Sequence, residues 1–259
     1  MLVLLKIVVK IMANYIGTSG WSYDHWRGLF YPEELSKGKW LEFYVEKFDT
    51  AELNSSFYRL PKRKTFENWR KRTPKNFIFS VKMSRYISHV KRLLDPEESL
   101  SRFFEAVSAL KEKCGPILIQ LPPGLKFDED RLKNFLELLT RDYRGYRFTM
   151  ECRNETWFQD PVYEIFRKYN IALCLADTPM YPYAEEITSN FVYIRLHGHE
   201  RLYASNYSDR QLDELAEKIR KWNKKDMDVY VYFDNDANAY APKNALRLKE
   251  ILSNFVKIE

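Results

Sequence analysis

Cysteine, glycine and glutamine are all scarce in this chain of 259 residues. The three cysteines, Cys114, Cys152 and Cys174, cannot all pair and have no metal-site spacing, which excludes a disulfide framework and a zinc module. With only 8 glycines there is no Gly-rich dinucleotide fingerprint and no P-loop, so folds built on those loops are not supported. No tract is linker-like or of low complexity. No apolar run is long enough to span a bilayer. The most apolar stretch, Met1 to Met12, is short, carries two lysines and lacks a small-residue cleavage site. It is read as an added strand or as an extension ahead of a true start at Met12, with residues 13–259 forming one domain. No membrane association and a reducing, cytoplasmic setting are expected.

What is present is a globular composition, 45% hydrophobic and 30% charged. The net charge of +6 reads first as a lysine-rich solvated surface and second as a preference for an anionic partner. Abundant lysine and glutamate beside scarce glutamine suggest a thermophile source.

The chain is organised around residues 147–158. There Phe148, Met150 and Cys152 alternate with Thr149, Glu151 and Arg153, so an extended segment puts the charged pair on one face. Asp160 and Pro161 then open a helix. Similar segments recur: strands over 15–20, 50–54, 77–83, 116–121, 171–177, 191–197 and 228–233, and helices over 40–48, 64–72, 96–113, 128–140 and 161–169. Ser208 to Gln211 forms a capping box before another helix, and Pro242 starts the last. Strand then helix, eight times over roughly 250 residues, predicts an α/β fold, a closed (β/α)₈ TIM barrel of parallel strands with outer helices.

Parity then assigns faces. The helix-facing set is Phe77, Phe79, Val81, Ile117, Ile119, Leu121, Cys174, Ala176, Val192, Ile194, Leu196, Val229, Val231 and Phe233. The lumen-facing set is Thr18, Glu52, Asn54, Ser80, Lys82, Gln120, Glu151, Arg153, Asp177, Arg195, His197, Tyr232 and Asp234. A structural barrel would fill those positions with Val, Ile and Leu. A ring of costly buried charges at the C-terminal strand ends predicts a ligand or catalytic site, with Glu151 or Asp177 touching Arg153 or Arg195.

Several motifs, in the same order along the chain, resemble the YecE-like family of unknown function. They are Ile16-Gly17-Thr18-Ser19-Gly20-Trp21-Ser22-Tyr23 with Trp26 and Tyr31-Pro32, Glu52-Leu53-Asn54-Ser55-Ser56-Phe57-Tyr58, Phe79-Ser80-Val81-Lys82, Gln120-Leu121-Pro122-Pro123, Glu151-Cys152-Arg153 with Trp157, Arg195-Leu196-His197-Gly198 and Tyr232-Phe233-Asp234-Asn235-Asp236. The resemblance spans nearly all of the chain after Met12. It implies a TIM-type barrel and supplies no activity.

Three chemistries compete for the ring. In the first, an enzyme of hydrolase or isomerase type binds a small polar or anionic molecule, sugar-like or nucleotide-like. Glu151, Asp177, Glu52 and His197 move protons, while Arg153, Arg195 and Lys82 clamp the anion. Asn54, Gln120 and Asn235 add polar contacts, and Trp21, Trp26 and Trp157, with Phe158, Tyr181, Tyr183 and Tyr203, offer stacking faces or merely seal the mouth. In the second, Glu151, Asp177, His197 and Asp234 hold a metal, in the manner of xylose-isomerase or endonuclease-IV barrels, with His199 sharing the ion. The arginines oppose this, so no metal or other cofactor is expected. In the third, the basic balance and aromatics serve nucleic-acid binding without a recognised motif. His25 and His89 are read as surface residues.

Overall fold

The computed structural model describes residues 13–254. The expectations for Met1–Met12 therefore lie outside the described residues. The strands are β1 (Asn14–Thr18), β2 (Thr50–Leu53), β3 (Ile78–Lys82), β4 (Cys114–Gln120), β5 (Phe148–Glu151), β6 (Ile171–Asp177), β7 (Phe191–Leu196) and β8 (Asp228–Phe233). The helices are α1 (Trp40–Val45), α2 (Ser55–Tyr58), α3 (Arg63–Lys71), α4 (Glu97–Val107), α5 (Glu129–Asp142), α6 (Asp160–Tyr169), α7 (Asp209–Asn223) and α8 (Tyr240–Asn254). All eight strands form one parallel sheet in the order β1-β8-β7-β6-β5-β4-β3-β2. The barrel closes between β1 and β2 through a bridge of Ser19 with Glu52, where the Gly20 N–H donates to the Glu52 carbonyl at 2.8 Å.

Below that bridge a side chain replaces the ladder. The Tyr44 hydroxyl, from α1, accepts from the Thr18 N–H at 2.9 Å and donates to the Thr50 carbonyl at 3.0 Å. Gly17 makes this approach possible, because a Cβ there would run into the Thr50 carbonyl oxygen. Tyr44→Phe leaves a buried N–H and a buried carbonyl unpaired. We expect it to lower unfolding stability by about 1–3 kcal/mol, read by urea denaturation. A loss below a few tenths would show that the seam does not need the hydroxyl.

The helices begin where their sequences direct. Asp128 caps α5 by accepting from the Arg131 N–H at 3.0 Å, and Ser208 and Gln211 form the reciprocal capping box of α7. The helix expected over 96–113 is shorter: α4 ends at Val107, and Lys111 turns to positive φ in the 3₁₀ segment that follows.

Two expectations about the barrel are corrected. No helix among the described residues follows β6; residues 178–190 return as a loop. Thr188 ties that loop down by accepting the Leu173 N–H at 2.8 Å and donating to the Ile171 carbonyl at 2.7 Å. Without that helix, a cavity of about 450 Å³ opens outside β6 and β7, lined by Leu175, Ile194, Leu196 and Trp222. The face assignment of β6 is also reversed. Its register places Ala176 beside the lumen residue Arg195, and Asp177 beside the outward Leu196. Ala172, Cys174 and Ala176 thus pack in the lumen with Tyr193, Tyr230 and Tyr232, while Leu173 and Leu175 join the outer core. Both rows of β6 are apolar, so alternation carried no sign. Bulk decided it: the lumen is already filled by tyrosines and an arginine, and only the small row fits.

Candidate active site at the C-terminal mouth of the barrel

Five strands deliver charged side chains to one place. Arg195, 1% exposed, lies at the centre. Its Nε and Nη2 grip Glu52 of β2 at 3.1 and 2.8 Å, Nη1 meets Glu151 of β5 at 2.6 Å, and Nη2 also reaches Asp234, just beyond β8, at 3.1 Å. One planar guanidinium therefore serves three carboxylates, which its fork of five N–H donors permits and a lysine could not.

The carboxylates are further satisfied. Glu52, fully buried, accepts from Ser19 Oγ at 2.5 Å and from the Tyr193 hydroxyl at 2.7 Å. Glu151 accepts from Gln120 Nε2 at 2.8 Å and from Arg153 at 2.6 and 2.7 Å. Burial works to raise the Glu151 pKa, but Arg195 and Arg153 outweigh it and hold the carboxyl well below its ordinary value. Glu151 is thus a fixed anion that organises the cluster, not a ready proton donor. Asp234 behaves alike: burial is outweighed by Arg195 and His197, and its pKa falls to about 2.

His197, 1% exposed, stands beside the cluster with Nδ1 2.8 Å from Asp234 Oδ2, off the line of a hydrogen bond. Its Nε2 is 3.6 Å from Glu151 Oε1. Burial and Arg195 lower its pKa, yet Asp234 and Glu151 more than offset them, so the imidazole gains a proton more readily than a free one. Gly198, at φ +107°, lets the chain turn directly after it, and a Cβ there would collide with the Arg201 carbonyl. The loop brings Tyr203 edge-on to the imidazole, ring centres 5.7 Å apart.

Two further cations lie at this end of the barrel. Arg153 reaches from Glu151 to the Tyr181 ring, 4.5 Å from its centroid. Lys82, at the end of β3, lies 4.2 Å from the Phe57 centroid. His89, expected at the surface, is half-buried beside it and shares the Phe57 ring.

Other expected site residues are placed elsewhere. Asp177 leaves the lumen: its carboxylate accepts from the Tyr207 hydroxyl at 2.7 Å and pairs with His199 at 3.0 Å outside the barrel wall. Thr18 also faces outward, to Tyr44, and Ser19 takes the inward position. Trp26 and Trp157 are buried and donate to backbone carbonyls of Asp236 and Leu125, while Trp21 packs against Tyr44, Trp69 and Phe79. Trp26 and Trp157 thus seal the scaffold, and Trp21 packs against it part-buried. Tyr183 lines the outer cavity with Asp177. Asn235 braces the loop, donating to Ser205 and Asn244. Asn54 donates to Ser19 Oγ at 2.5 Å, and its side-chain oxygen Oδ1 is buried without a hydrogen-bond partner among the described residues.

The proposed metal set is thereby dispersed, since Asp177 faces away and the other carboxylates converge on a guanidinium. No group of three His, Cys, Asp or Glu stands in a ligating arrangement among the described residues. Sequence reasoning missed Ser19, Tyr193, Phe57 and His89. Ser19 could have been found from the Gly17 turn of parity; His89 gave no signal, because a five-residue turn (Tyr86–Val90) carries it to the mouth.

Comparison with known proteins agrees with this architecture. The chain is 24% identical to UPF0759 protein YunF of Bacillus subtilis, covering 92% of this chain and 94% of that one. It is 29% identical to UPF0759 protein YecE of Escherichia coli K12, over 56% of this chain and 50% of that one. The crystal structure of a DUF72 family protein from Thermotoga maritima superposes with a TM-score of 0.83 at 30% identity, covering 93% of this chain and 99% of that chain. No described helix is long and apolar enough to cross a membrane. With residues 15–258 matching the family model described as "Protein of unknown function DUF72", the chain belongs to the DUF72 family.

Proposed function

We propose that the C-terminal mouth binds a small anionic molecule and that the protein is an enzyme acting on it. The observation that carries this reading is the uneven use of charge. Arg195 is consumed by three carboxylates, while Arg153 meets one and Lys82 has no carboxylate in ion-pair range among the described residues. Such cations suit a carboxylate or phosphate group. Glu151 and Asp234 then act as fixed negative supports, and Lys82, brought down to about 8, is a group able to exchange a proton near neutrality, with His197 beside the cluster. Glu151 and Glu52, weighed above for acid–base work, are read here as positioning groups because both bond Arg195.

A thermal-shift panel of oxalate, glyoxylate, phosphate and sulfate tests the reading. At least one anion is expected to raise the melting temperature of the native protein saturably by several degrees, as mass action requires for a ligand well above its Kd. Arg153→Ala should weaken that response about tenfold in concentration, a loss of ~1.4 kcal/mol. No response to any of the four anions would contradict the reading.

A further inference from the structure

One cation at the mouth is left over by the cluster. Lys82 is 7% exposed, and no carboxylate among the described residues lies within 4.0 Å of its amine. Its backbone is fixed, the carbonyl accepting from Ser56 Oγ at 2.6 Å. The amine rests on the Phe57 ring, and His89 meets that ring edge-on at 5.0 Å between centres, its Nδ1 2.9 Å from Ser88 Oγ. A lysine kept for neutralisation would be paired; this one is desolvated beside another cation. Burial first, and Arg195 second, lower its pKa to about 8, with Glu151, Glu52 and Asp234 offsetting them in part. Burial, then Lys82 and Arg153, bring His89 down to about 4, so its imidazole is neutral at pH 7. An amine that releases its proton far more readily than a free lysine, sharing the Phe57 ring with a neutral imidazole, is the equipment of a carbonyl-directed nucleophile.

We propose that Lys82 forms an imine with an anionic carbonyl compound, an aldehyde or 2-oxo acid, whose anionic group is held by Arg153. This rests on the anion-site reading above. The Nζ lone pair adds to the carbonyl carbon, and the carbonyl π pair moves to oxygen. A nitrogen proton passes to oxygen by way of His89, giving the carbinolamine. Its hydroxyl leaves with one more proton as water while the nitrogen lone pair forms the C=N bond, leaving the protonated imine. Adding water reverses each step, and no oxidant or reductant is required.

The test is reductive trapping of the full-length protein with glyoxylate and cyanoborohydride, read by peptide mass mapping. Glyoxylate combines an aldehyde and a carboxylate in two carbons, so size does not bar it. The expected result is carboxymethylation of Lys82 at least tenfold faster at pH 7 than of surface lysines, whose amines are far less deprotonated. The rate should reach half its maximum near pH 8, the groups facing the amine being Arg195, Glu151, Glu52, Asp234, Arg153 and His89. His89→Gln should slow it, and Lys82→Arg should remove the label. Labelling that follows exposure alone, with Lys82 not preferred, overturns the imine. If any anion of the panel still shifts the melting temperature, the anion site stands without the imine; if none does and Lys82 is not labelled, both readings fall.

Discussion

Arg195→Met is expected to cost about 3–5 kcal/mol of unfolding stability at pH 7, the loss typical of stranding one member of a buried ion pair. That is a large part of the 5–15 kcal/mol that holds an ordinary domain. The residue that suffers is Glu52. Glu151 would keep Arg153 and Asp234 would keep His197, but Glu52 has no cation other than Arg195 within ion-pair range among the described residues. Its remaining partners are the hydroxyls of Ser19 and Tyr193. Arg195→Lys should rescue little, because a single ammonium cannot present the divergent donors that three carboxylates require. The defect should shrink as pH falls, since the stranded carboxylates can then take up protons. Urea denaturation of native and variant protein across pH reads both effects; a loss below about 1 kcal/mol would mean the cluster is solvated and not a dry ion network.

Acid should unfold the native protein through the same cluster. Asp234 falls from 3.8 to about 2 on folding, and Glu151 falls well below 4.5. A carboxyl whose pKa is depressed in the folded state contributes stability that is present above its unfolded pKa. That stability is lost as pH falls through the folded value. For Asp234 the contribution is about 2 kcal/mol, lost between roughly pH 4 and pH 2. His197 has the opposite sign. Its raised pKa contributes stability below about 6.5 that fades as pH rises through the folded value. Asp234→Asn should therefore be less stable than the native protein at pH 7 by about 2 kcal/mol and no less stable near pH 2. Parallel pH-stability curves for the two proteins would show that Asp234 does not titrate within this network.

Much of this site was legible because side-chain alternation has a sign wherever one row is large and apolar. Phe77, Phe79 and Val81 leave no doubt that Ser80 and Lys82 turn inward, and Val192, Ile194 and Leu196 do the same for Arg195 and His197. The cost of lone charges then required Glu151 to find an arginine, and it contacts two. Where both rows are apolar, as in β6, alternation is silent and the lumen's remaining volume decides, which is how Asp177 was assigned to the wrong face. Glycine hid a second case: Gly17 is the inward residue of its pair, so Thr18 turns to Tyr44 and Ser19 to Glu52. The rim tryptophans misled for another reason. Indoles near a barrel mouth suit ligand stacking and loop packing equally in sequence, and here the N–H groups of Trp26 and Trp157 are committed to backbone carbonyls. Phe57, in the one-turn helix α2, and His89, in the five-residue turn Tyr86–Val90, sit on segments too short to show a periodicity.

On the anion-site reading, this charged cluster is maintained for a ligand and not for stability. One variant tests it most directly: Arg195→Met combined with Glu52→Gln, Glu151→Gln and Asp234→Asn. The amides keep acceptors for Ser19 and Tyr193 while all four charges disappear together; only Arg153 loses a charged partner, and it keeps an amide oxygen at position 151 and the Tyr181 ring. Its stability and its response to the anion panel are measured side by side. The account predicts that the quadruple variant recovers to within about 1 kcal/mol of the native protein, as neutral replacements of buried ion pairs often do, and that its anion response is gone. A quadruple variant as unstable as Arg195→Met alone, or one that keeps the full anion response, would contradict it.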